Sequence, residues 1–155
     1  MKGGKIMATF FFVMQHAPTL EQVEAARALG IVRIVALSAW PDPAKGQGGP
    51  LPGVEYMGKT GLLTVPDDPK LGREWFTGRA VEIGELLGVT RGDVIQPMGQ
   101  GQLVNALTRL GLSRGARVVE SVTAREAAED QVQLDGSTKK VTVFRFKGFR
   151  QIYQF

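Results

Sequence analysis

Ala8-Thr9-Phe10-Phe11-Phe12-Val13-Met14 is a short uncharged run rich in aromatic and β-branched residues. Such a run, with no polar alternation, is what a strand covered on both faces requires, so it is expected at the centre of a sheet. The residues after it begin a helix: Thr19 stands three positions before Gln22, the spacing of a capping box. Val23, Ala26, Ala28 and Leu29 follow, and Gly30 stops the helix. Ile31 to Leu37 (IVRIVAL) then reads as a second strand. Strand, helix and strand within about 30 residues make a βαβ unit with parallel strands.

The same alternation continues outward. Trp40 to Gly61 holds four of the eight prolines in a glycine-rich context and reads as a long loop, with Leu62 to Val65 as a short extended segment beyond it. Leu71, Trp75, Ala80, Ile83, Leu86 and Leu87 form an apolar stripe ending at Gly88, which predicts a second helix. Arg91-Gly92-Asp93 turns the chain into a strand over Val94 to Gln96, Gly99 to Leu112 reads as a third helix, and Ala116 to Val122 as another strand. Near the C-terminus, Asp135-Gly136 between Gln131–Leu134 and Lys140–Phe146 predicts a β-hairpin through a primed turn, with Gly148 marking a bulge or bend. Phe144, Phe146 and Phe149 are expected on one apolar face. These elements predict a single α/β domain over residues 1–155, a Rossmann-like three-layer sandwich with a mostly parallel sheet. It carries a Pro/Gly-rich loop at 40–61 and a basic hairpin at 129–155.

A length of 155 residues suits one domain of the usual ~100–200. With 43% apolar and 22% charged residues, the chain has the composition of a folded globular protein. It has no cysteine, which excludes disulfides, thiolate metal sites and cysteine nucleophiles, and its single histidine is too few for a His-rich zinc site. Catalysis is therefore expected to be metal-free, or to use a metal brought in by carboxylates and substrate, and no cofactor is implied. Five of the 19 basic residues (Lys139, Lys140, Arg145, Lys147, Arg150) and none of the 15 acidic ones fall between Lys139 and Phe155. That excess suggests an anionic partner there or, equally, a solvated basic face. No apolar stretch approaches the ~20 residues of a membrane span. Lys2 and Lys5 before Ile6–Met14 imitate a signal peptide, but the run leads into a helix start and not a small-residue cleavage site. It is read as a strand behind a loose leader at Met1–Lys5, and the chain as cytoplasmic.

Three motifs bear on chemistry. Gly53-Val54-Glu55-Tyr56-Met57-Gly58-Lys59-Thr60 fits G-x-x-x-x-G-K-[ST] letter for letter. A phosphate-binding loop needs a buried strand before it and a helix after it, whereas Pro50-Leu51-Pro52 precedes this one and Gly61 and Pro66 follow, so a nucleoside triphosphate site is not expected. Gln96-Pro97-Met98-Gly99-Gln100-Gly101 joins the end of a parallel strand to a helix, where open α/β sheets collect ligands. Its glycines let a backbone approach a phosphate, or serve only a tight turn. Gln15 and His16 hold the analogous position after the first strand, and Thr123 and Arg125 follow another. Converging at one sheet edge, these residues offer imidazole, amide, hydroxyl and guanidinium groups to a phosphodiester. No carboxylate pair for glycosidase or two-metal chemistry is evident.

The order of these features resembles a small family of CRISPR-associated ring nucleases found beside type III systems. The resemblance is carried by Phe11-Phe12-Val13-Met14-Gln15-His16 with Thr19-Leu20-Glu21-Gln22, by Leu29-Gly30-Ile31, and by Gly92-Asp93-Val94-Ile95-Gln96 with its glycine turn. It continues in Thr123-Ala124-Arg125-Glu126, in Asp135-Gly136 followed by Lys139-Lys140, and in Phe144 and Phe149-Arg150. Two departures are Pro97-Met98, which separates the glutamine from the glycine turn, and the Trp40–Gly61 loop, which looks like an insertion. The resemblance implies a homodimer that binds cyclic tetra-adenylate across its two-fold axis and cuts it, with no membrane and no long nucleic acid involved. In that reading His16 is the acid or base and Arg125 stabilises charge. Gln15, Gln96, Gly99, Gln100, Gly101 and Thr123 hold the ligand, and Lys139 and Lys140 line its approach. Two other classes fit the same residues: a non-catalytic cyclic-nucleotide sensor and a general RNA-binding module.

Overall fold

The computed structural model describes residues 7–127 and 130–155; the leader expected at Met1–Lys5 and the first residue of the hairpin region, Glu129, lie outside them. The aromatic run forms β1 (Thr9–Val13), every residue of it buried. It lies inside a six-stranded sheet of order β3-β2-β1-β4-β5-β8, made of β2 (Arg33–Ala36), β3 (Val54–Tyr56), β4 (Val94–Pro97), β5 (Arg117–Ala127) and β8 (Thr142–Gln151). The five strands β1 to β5 pair in parallel and β8 adds to β5 antiparallel, so the fold is the α/β sandwich expected. A separate two-stranded ribbon pairs β6 (Gln131–Val132) with β7 (Thr138–Lys139).

Period-two geometry divides the core between the two faces of the sheet. Phe11, Val13, Val35, Ile95 and Val118 pack against α2 (Arg73–Leu87) and α3 (Gly101–Ser113), burying Phe76, Ile83, Leu103 and Leu107 between them. Phe10, Phe12, Met14, Ile34 and Val94 face the other way, against Val23 and Ala26 of α1 (Leu20–Ala28). Thr19 caps α1 as a full capping box with Gln22. Asp93, fully buried, accepts the Thr9 and Thr90 backbone N–H groups, each at 2.9 Å. Its carboxylate thereby ties the start of β1 to the turn that opens β4. No helix among the described residues is long and apolar enough to cross a membrane.

The structure corrects five local expectations. The Trp40–Gly61 loop contains β3 and a 3₁₀ turn at Pro43–Lys45, while Leu62–Val65 is not extended because Thr60–Leu63 forms another 3₁₀ turn. Three residues between glycines and prolines carry too little periodicity to announce a strand. In α2 it is Phe76, not Leu86, that is buried. Beyond Val122, β5 continues to Ala127, so Thr123 and Arg125 stand within a strand and not after one. Finally, the Asp-Gly turn joins only the short β6 and β7, and β8 pairs with β5. Gly136 alone takes a positive φ, +86°, while Gly136 N–H donates to the Gln133 carbonyl and Gln133 N–H to that of Ser137. That is the three-residue turn with a glycine bulge, not a primed turn.

Gly148 does mark a bulge. The β5–β8 register shifts between Val122, opposite Gly148, and Thr123, opposite Phe146, leaving Lys147 extra, and Gly148 sits at φ +136°. A side chain rarely adopts that backbone conformation. With Lys147 extra, Phe144, Phe146 and Phe149 stand opposite Arg125, Thr123 and Ser121 and so keep to one face, as expected. Phe149 packs on Phe10 and Phe146 with ring centroids 4.9 and 5.3 Å away, whereas Phe144 is exposed beneath the Arg125 guanidinium.

Candidate functional site

From β1 the chain passes through α1 to β2 on one side, and from β3 it returns through α2 to β4 on the other side of β1. The carboxyl ends of β1 and β4 therefore flank a topological switch point, where open α/β sheets bind ligands. Val13 is in register with Pro97, and Met98 N–H donates to the Val13 carbonyl at 2.9 Å. This pairing brings Gln15 and His16, leaving β1, to the same edge as Gly99, Gln100 and Gly101, leaving β4. His16 is exposed, with Nδ1 3.3 Å from the Ala17 carbonyl. In the Nδ1–H tautomer that nitrogen donates there and leaves the Nε2 lone pair free to take a proton.

The six residues at this edge are not equivalent. Gln15 is exposed, its amide 3.5 Å from the Thr60 carbonyl. Gln100 uses its side-chain oxygen to cap α3, accepting Leu103 N–H at 2.9 Å, which leaves the Gly101 and Gln102 amides to face an anion at the positive end of the helix. Gln96 is buried at 2% exposure and turned into the protein: Ser121 Oγ donates to its Oε1 at 3.0 Å, and its Nε2 faces Met14 Sδ at 3.8 Å. Ser121 in turn accepts from Gln22 Nε2 at 3.1 Å, and Gln22 Oε1 accepts Thr19 N–H. A continuous relay thus runs from the cap of α1 through β5 to the end of β4. Gln96 holds the edge together and does not point out of it.

The other predicted residues lie elsewhere. Extending the Ile95–Val118 register puts Pro97 level with Glu120, so Arg125, five residues on, lies about 16 Å further along the strand. It is exposed, with its guanidinium 5.2 Å from the Phe144 ring centre, and Thr123 is exposed on the same projecting strand. Lys139 and Lys140 belong to the separate β6–β7 ribbon and its exit. The basic excess of the C-terminal sequence is largely answered in space by β5. Glu126 pairs with Lys147 and, at 2.7 Å, with Arg145, and Arg150 lies 3.4 Å from Glu120. Hydrogen bonds from Lys147 and then Arg145 hold the Glu126 carboxyl below its ordinary range.

A cavity of about 580 Å³ opens beside His16, walled by the Gln15–Leu20 turn, by Ser38–Pro41 after β2, and by the loop around Gly48 and Leu51. Sequence reasoning missed this chamber because its far wall is the Pro/Gly-rich segment. That segment is organised by contacts no motif announces: Leu51 N–H donates to the Tyr56 hydroxyl at 2.9 Å, and the Trp40 and Tyr56 rings meet edge to face at 5.6 Å. Ser38, 2% exposed, borders the cavity, while its hydroxyl oxygen is buried with no partner among the described residues, at a cost on the order of 1–3 kcal/mol for such a group. No protein-family model and no curated protein matches the chain, so the site stands on its own geometry.

Proposed function

We propose that this chain is a cytoplasmic ring nuclease that binds cyclic oligoadenylate, foremost cyclic tetra-adenylate, and cleaves it without a metal to end a type III CRISPR signal. The observation that carries the reading is the juxtaposition of His16 with the Gly99–Gly101 turn and the start of α3 at the switch point between β1 and β4. A phosphodiester held by the free amides of α3 has its negative charge met by the helix N-terminus, and His16 Nε2 stands ready to take a proton. The ribose 2′-oxygen attacks the adjacent phosphorus and the bond from phosphorus to the 5′-oxygen breaks; His16 takes the 2′-hydroxyl proton and later releases it to solvent, while the departing 5′-oxygen takes a proton from water. The products carry a 2′,3′-cyclic phosphate and a 5′-hydroxyl.

Arg125 lies too far along β5 to share a phosphate with His16 of the same chain. In a homodimer, whose two-fold symmetry suits a symmetric ring, its charge stabilisation comes from the opposite protomer. An RNA-binding module is the weaker reading, because Glu126 and Glu120 occupy three of the five cations on which it would rely. Incubation of the protein with labelled cyclic oligoadenylates of several ring sizes in EDTA tests the proposal. Linear products ending in 2′,3′-cyclic phosphate are expected. Binding without turnover would make the chain a sensor, and turnover only with added magnesium or manganese would overturn the metal-free mechanism.

A further inference from the structure

The cavity beside His16 has the size of a small-molecule site. It is lined in part by Trp40, which is 65% exposed although its ring is in edge-to-face contact with Tyr56. Tyr56 is itself fixed on β3, its hydroxyl accepting Leu51 N–H, so the indole has a rigid backing. An exposed aromatic plate over a chamber favours a flat ligand, because stacking uses the ring face while the ligand's edge stays free for hydrogen bonds. His16 lines the same cavity, next to the edge where a phosphate would sit.

We infer that this cavity is a nucleobase subsite in which a purine stacks on Trp40 and directs its sugar and phosphate toward His16. A bicyclic base covers more of the indole than a pyrimidine, so the subsite selects adenine over uracil. The inference rests on the proposed ligand class only for the choice of adenine. It also gives the Trp40–Gly61 loop a role, since Trp40 and the wall around Gly48 belong to it.

The chain has two tryptophans, and Trp75 lies on α2, so Trp75→Phe leaves Trp40 as the sole indole reporter. Titrating that protein with adenosine 5′-monophosphate should quench its emission saturably, and uridine 5′-monophosphate should do so more weakly. In the parent chain, Trp40→Leu should weaken binding of the adenine nucleotide by roughly 5- to 150-fold, the span of base–aromatic stacking. Trp40→Phe should recover part of the loss. An unchanged Trp40 emission at millimolar adenosine monophosphate, together with unaltered ring cleavage by Trp40→Leu, overturns the subsite and leaves the nuclease reading intact. Saturable quenching by a protein that cleaves no ring would do the reverse.

Discussion

Replacing Ser121 with alanine removes the middle of the relay that joins α1 to the end of β4. Two groups lose their partner at once: Gln96 Oε1, at 2% exposure, and Gln22 Nε2, on a residue at 8%. An unsatisfied buried polar group costs about 1–3 kcal/mol, and Gln22 lies closer to solvent than Gln96, so a loss of about 2–3 kcal/mol is expected. With a urea slope of roughly 1–3 kcal/mol per molar for a domain of this size, the midpoint should fall by about 0.7–3 M with the slope unchanged. Gln96→Met supplies the cycle, since in that background the Oε1 acceptor is already gone and Ser121→Ala should cost at least about 1 kcal/mol less. Additive effects, or a single-variant loss under about 0.5 kcal/mol, would refute the relay as a structural connection.

Lys59→Ala should leave ring cleavage unchanged and the chain should bind no ATP, because residues 54–56 of the Walker-like stretch are a sheet strand and Lys59 begins only a four-residue 3₁₀ turn; isothermal titration showing ATP affinity lost in the variant would contradict this. Gly111→Ala should destabilise by about 1–3 kcal/mol in chemical denaturation, since an added Cβ would stand 2.9 Å from Val118 Cγ2 and 3.0 Å from Ile95 Cγ2, branched chains with little room to yield. Glu126 has its carboxyl lowered by Lys147 and Arg145, so its stabilisation of the β5–β8 ribbon is present above the ordinary carboxylate range and is lost as pH falls through the lowered value. Protection factors of the β8 amides, which correct for the intrinsic pH dependence of exchange, should fall on that acid side, less so in Glu126→Gln and in high salt.

Legibility in the sequence followed the length of the periodic signal. The fully apolar β1 and the Thr19–Gln22 capping box announced themselves because burial on both faces and helix capping each demand particular residues at fixed spacing. β3 did not, because three residues between turns satisfy any pattern. The pairing of β8 with β5 was hidden for another reason. Asp135-Gly136 is a strong local turn signal, but the long β5 offers nine register partners where the nearer strand offers two. At the site, His16 and the glycine turn were legible from their places after parallel strands. Gln96 was legible only by position: its inward orientation depends on Ser121, far along the chain, for which no motif exists. Likewise the basic tail looked unbalanced until folding set Glu120 and Glu126 beside it.

The central claim is that the β1–β4 edge cleaves a cyclic oligoadenylate with His16 as its proton-transfer group. Single-turnover cleavage of labelled cyclic tetra-adenylate by saturating protein in EDTA, compared between the parent chain and His16→Ala, reads the chemical step apart from binding. The account predicts retained affinity and a rate lower by ~10²–10⁴-fold in the variant. An unchanged rate would contradict it and move the chemistry away from this edge.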